Sequence, residues 1–209
     1  MKKLLFWMVL IVGIVVLLGS CAKKDDSTTA TATATAFTSS TTAAGSITFG
    51  SETLSGIYAS ACLSTGVAAV ASAGIWPSDT KAVRDVLVVT SDTSVSEEFH
   101  GYSDTSCSNH SFYSKDGDTS FTVGDASGEN YKVTYTETSY KALVDTTFAE
   151  TWWEARLSTG LTVGTEYSSG GSLKNYLNLF SVTSTTVQIG EDDNETYPTA
   201  MDSQVMTKQ

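Results

Sequence analysis

Alternation with a period of two residues constrains this chain more than any other feature. Between residues 94 and 102, Val95, Glu97, Phe99 and Gly101 fall on one face of an extended segment, and Ser96, Glu98, His100 and Tyr102 on the other. Between 131 and 138, Tyr131, Val133 and Tyr135 oppose Lys132, Thr134 and Thr136 in the same way. Successive side chains of a strand point to opposite faces, so each segment reads as a strand with one wet side, the habit of antiparallel sheets. Residues 82–90, with the run Val86-Leu87-Val88-Val89, predict a neighbouring strand covered on both sides. Ser91-Asp92-Thr93 predicts the turn of the hairpin they form with 94–102.

The rest of the chain repeats this short-strand rhythm. Residues 55–62 read as the first main strand, and 111–114, 119–123 and 131–138 as further ones, parted by turn signals at 115–118 and 125–128. Residues 173–182 and 185–190 read as a closing hairpin. The small apolar stretch 66–76 is a buried loop, a short helix or an exposed lip; periodicity does not choose. Residues 145–157 break the rhythm: Thr147 and Glu150 have capping-box spacing, while Phe148 and Trp152, and Ala149 and Trp153, stand four apart, as on a helix. A strand through Thr151-Trp152-Trp153 is the alternative. The expectation is an all-β domain of roughly eight antiparallel strands, a number that suits a small barrel or sandwich, with one short helix.

Ahead of this domain the composition is different. Lys2-Lys3 precede an apolar run to Leu18 and then Leu18-Gly19-Ser20-Cys21, the layout of a secretory signal peptide. Residues 4–19 would span about 24 Å as a helix, short of a hydrocarbon core of about 30 Å. The Leu-small-small-Cys ending resembles the lipobox of bacterial lipoproteins, which implies cleavage before Cys21, acylation of that cysteine by palmitate-type chains, and anchorage in the cell envelope. Ala22 after the cysteine implies the outer membrane, if the cell has one. The Thr/Ala/Ser tract that follows has too little apolar surface to order itself. The division is therefore 1–20 signal peptide, 21–45 tether, and 46–209 β domain.

Loss of Lys2 and Lys3 leaves 10 of the 12 basic residues against 23 acidic, a net charge near −13. Such a surface repels phosphates, which disfavours nucleic acid and electrostatic membrane binding; the membrane is a partner through the lipid, not through charge. With Cys21 assigned to lipidation, Cys62 and Cys107 remain. An even remainder in an exported chain predicts a disulfide; the alternative is two free thiols or a metal site using Cys107 and His110.

Gly56-x-Tyr58-x-x-x-Cys62, a Val-rich hairpin and Tyr102-x-Asp104-x-x-Cys107, with Thr186-Val187-Gln188-Ile189-Gly190 and Tyr197-Pro198-Thr199-Ala200-Met201-Asp202 near the end, resemble extracytoplasmic bacterial lipoproteins with a lipocalin-like barrel. The resemblance implies an antiparallel barrel with one bridge and carries over no catalytic residue.

Catalytic signatures are missing: there is no HExxH, GxSxG, phosphate-binding Gly-rich loop or CxxC. His100 beside Glu98 and Tyr102 is an acid/base pair or a solvated strand face. Asp116-Gly117-Asp118 and Glu191-Asp192-Asp193-Asn194 lack calcium-loop spacing and read as turns. Neither enzyme nor cofactor is expected. The expected function is binding of a small hydrophobic or amphipathic ligand in the barrel, with Phe148, Trp152 and Trp153 lining its mouth. The alternative is an interaction lipoprotein with a filled barrel. Cys21→Ala should leave unprocessed precursor and abolish incorporation of radiolabelled fatty acid; label retained by that variant would overturn the anchor.

Overall fold

The computed structural model describes residues 39–191 and 196–209. The signal peptide, Cys21, the tether up to residue 38 and Asp192-Asp193-Asn194 of the acidic turn lie outside them. The described chain closes an eight-stranded antiparallel β-barrel. Strands β3 (Ile57–Ala59), β4 (Ala82–Ser91), β5 (Ser94–Tyr102), β6 (His110–Ser127) and β7 (Asn130–Val144) each pair with the next in sequence. Two short strands, β8 (Tyr167–Gly170) and β9 (Asn175–Val182), lie end to end along the other edge of β7 and together make one stave. Next come β10 (Thr186–Ile189) and β11 (Met206–Lys208), and β11 returns to pair with β3. The barrel is an up-and-down meander, so no edge is left bare.

Two elements close it. A hairpin of β1 (Ile47–Phe49) and β2 (Glu52–Leu54) drives Ile47, Phe49 and Leu54 into a core with Tyr58, Leu87, Val89, Phe121, Val133, Phe180 and Val187. The Phe49 ring is fully buried, 6.0 Å from Phe180 and 5.7 Å from Tyr131 between centroids. Gly50, at φ +59°, makes the hairpin turn possible, because a Cβ there would strike the Tyr131 hydroxyl. At the opposite end, helix α1 (Val67–Ser72) and helix α2 (Thr147–Leu157) lie near Trp76 and Phe112. The Thr146 side chain caps α2 by accepting from the Ala149 N–H at 3.2 Å, one residue ahead of the predicted box. Among the described residues there are thus two short helices rather than one, and the segment containing Trp152 and Trp153 is helical.

Other sequence expectations change for physical reasons. The turn read at 115–118 is the middle of β6, because that backbone is laddered on both sides, to β5 and to β7. The first strand shortens to three residues, and β1, β2 and β11 are additions too short to show a period. Residues 39–45, read as the end of the tether, form a strap across the outer face. Ser39 and Thr41 donate to Glu98, Ala43 packs on Val86 and Val88, and the Ala44 N–H donates to Val89 O at 2.9 Å. Cys62 and Cys107 are joined by a disulfide with Cα atoms 5.9 Å apart, tying the chain after β3 to the loop between β5 and β6.

Because Phe49 fills the barrel end from a hairpin that has little core of its own, Phe49→Ala should destabilise the domain by about 3–5 kcal/mol. Urea denaturation of wild type and variant measures it; a loss under about 1 kcal/mol would show that the hairpin is not a plug.

Candidate functional site in the barrel lumen

Residues paired directly across strands share a face, so register fixes what the inner wall contains. Leu87 and Val89 lie in the core, and their partners Glu97 and Val95 therefore also point inward. The same parity places Asp85 and Phe99 inside on β4 and β5. On β6 it selects Phe112, Ser114, Asp116 and Asp118. A register shift at Thr138 on β7 keeps both Glu137 and Tyr140 inside. The middle of the barrel thus carries a belt of carboxyl groups: Asp85, Glu97, Asp116, Asp118 and Glu137. On one side of the belt is the apolar plug around Phe49. On the other is an aromatic roof, where Trp76 meets Phe99 at 5.6 Å, Phe99 meets Phe112 at 6.0 Å, and Trp153 meets Phe112 at 5.9 Å and Tyr140 at 6.4 Å. Gly101 opposite Phe112 admits that ring, since a Cβ at 101 would collide with it.

Asp85, Glu97, Phe99, Asp116 and Tyr140 are half-buried rather than buried. Inward-facing groups in a closed barrel that keep exposure border a lumen. Its electrostatics follow from taking acids out of water. Burial, then the Asp202 carboxylate, push Asp85 up to about 7, against a hydrogen bond from Gln204. Burial, Asp116, Tyr167 and Glu137 raise Tyr140 above the ordinary tyrosine range. The stability that Asp85 contributes as a neutral acid is present below its unfolded value near 4 and is lost as pH rises through about 7. Glu137 is held by the Ser172 N–H at 3.0 Å and the Tyr176 hydroxyl at 3.2 Å. The indole N–H groups of Trp76 and Trp153, both buried, have no acceptor among the described residues.

The three residues expected at the mouth are separated by α2. Trp153 is 1% exposed and forms part of the roof. Trp152 lies on the outer side, where its indole donates to Gly74 O at 3.0 Å and the Arg156 guanidinium stacks 3.4 Å from its ring centre. Phe148 is 59% exposed. Asp116 and Asp118, read as a solvated turn, are wall residues instead. Among the described residues no cluster of His, Cys, Asp or Glu has the arrangement of a metal site. Glu98, His100 and Tyr102 face outward. Sequence reasoning passed over the acidic belt, although one signal was present: Glu97 alternates onto the same face as Val95 and Phe99.

A groove of about 710 Å³ also runs under the strap on the outer wall, past Thr41, Ser96, Tyr113, Lys115 and Lys141. Its lysines are already met by Glu166, at 2.7 Å from Lys141 and 3.7 Å from Lys115. Compared with known proteins, the chain matches no family model and no curated sequence.

Proposed function

We propose that this chain is a lipid-anchored envelope protein, akin to lipocalin-like lipoproteins, whose barrel binds a small amphipathic organic cation. The acidic belt beneath the aromatic roof carries this reading. Aromatic faces attract ammonium groups through their quadrupoles, and the carboxylates below supply the counter-charge. A purely apolar ligand would instead have to desolvate those acids without replacing their partners, which is unfavourable. The strongly acidic surface draws cations toward the protein. Attachment through Cys21 would hold the barrel at the envelope, on the outer membrane where one exists.

This reading is one of binding and assigns no catalytic residue. The Ser39 hydroxyl donates to Glu98 and not to a histidine, so no nucleophile–histidine–carboxylate order forms there. A second reading, a scaffold that only presents its loops, draws support from the closure of both ends by Phe49 and Trp153.

Calorimetric titration with benzyltrimethylammonium, whose charge does not titrate, separates the two readings. Binding should be tighter near pH 8 than near pH 5, because Asp85 ionises in between, and Glu97→Gln should weaken it about tenfold. Oleate should not compete. Absence of binding at both pH values would leave the scaffold, and equal binding of oleate would contradict the cationic site.

A further inference from the structure

The outer face above the lumen carries an unbroken line of titratable groups. Glu98 Oε2 lies 2.9 Å from His100 Nε2, His100 Nδ1 lies 3.2 Å from His110 Nε2, and His110 Nδ1 lies 2.6 Å from Asp145 Oδ2. Each contact is a hydrogen bond and needs one proton. With the carboxylates as acceptors, all protons come from the imidazoles. Three contacts drawn from four ring nitrogens therefore require three N–H groups, one more than two neutral histidines possess. All three contacts are made at once only when the pair carries a single positive charge. With two protons, bare nitrogens would face each other across the middle contact; with four, N–H would face N–H between two cations.

Both ends of this line hold something. Glu98 anchors the strap through Ser39 and Thr41. Asp145 immediately precedes Thr146, the cap of α2, which carries Trp153 into the roof. The junction is otherwise tied to β6 through the Asp145 N–H to Ser111 O at 2.7 Å and the Thr146–Ser111 hydroxyl contact at 3.1 Å. We propose that the His100–His110 pair is an acid-operated latch on the lid helix α2: a second positive charge drives His110 away from His100, and Asp145, drawn with it, loosens the first turn of α2 over the lumen. This rests on the lumen being the binding site and gives that site its regulation, with closure near neutral pH and release in acid.

The surrounding charges favour a single cation at rest. Arg84 on β4 is opposite His100, Lys115 on β6 is opposite Glu98, and Tyr113 and Lys115 are joined to Glu166 from the loop before β8. Lys141 on β7 adds another positive charge, and Tyr102 packs on His110. Asp79 accepts from Ser111 behind the junction. Burial, together with the charges of His110 and Lys115, holds His100 below the ordinary histidine range despite its bond to Glu98. His110, whose side chain is 26% exposed, is the member of the pair with room to move.

Hydrogen exchange on the full chain, without ligand, tests the latch separately from binding. Corrected for intrinsic rates, the amides of Ala149 to Trp153 should exchange about tenfold faster near pH 5 than near pH 7.5, while those of β9 stay unchanged. His110→Gln, which leaves a single imidazole on the line and so no pair of cations, should remove the difference. Asp145→Ala should make α2 exchange fast at both pH values. A wild-type helix indifferent to pH, a response that persists in His110→Gln, or a slow helix in Asp145→Ala would each overturn the latch. None of these outcomes bears on whether the lumen binds a cation.

Discussion

Closure of the meander by the short pairing of β11 with β3 is the constraint on which the rest depends. Thr207 opposite Ala59 and Lys208 opposite Tyr58 complete the ring. Once the ring is complete, every strand has a fixed inside and outside. An acid at an inward position cannot rotate to water without breaking the ladder on both sides. That is why Asp85 sits inside with a raised affinity for its proton, and why Tyr140, wedged beside Asp116 and Glu137, resists ionisation. The Cys62–Cys107 bridge supports the same geometry by tethering the loop after β5 to the end of β3.

The interior is unequal along its axis. Phe49 and its neighbours fill one half in the manner of an ordinary core, with aromatic rings in edge and stacked contacts. The other half places carboxyl groups beneath rings. That arrangement does little for a fold, since burying charge is unfavourable, and it suits a cationic guest. The outer face answers the inner one. The line from Glu98 to Asp145 ends at the helix whose Trp153 roofs the lumen.

The sequence showed the middle of the barrel best. The alternation at 94–102 is β5 residue for residue, and the hairpin with β4 and the helix at 147–157 follow from equally local signals. What stayed hidden is what tertiary pairing decides. Lys115-Asp116-Gly117-Asp118 has the composition of a turn but lies within β6, where ladders to both neighbours override local preference. The three-residue strands β1, β2 and β11 are shorter than any period that could reveal them. Asp85 is obscured by the apolar run beside it, and the split of Trp152 from Trp153 depends on how α2 is rolled, which i, i+4 spacing alone leaves open. The Glu98–Asp145 line joins residues as far apart as 47 positions in sequence, so only the register brings it together.

The central claim, an acidic lumen between plug and roof, is tested most directly by a crystal structure of the full chain at high resolution. The account predicts ordered solvent or a bound guest touching Asp85, Glu97 and Asp116 beneath the Trp153 ring. Side chains packed through that space, with no density between the belt and the indole, would contradict it.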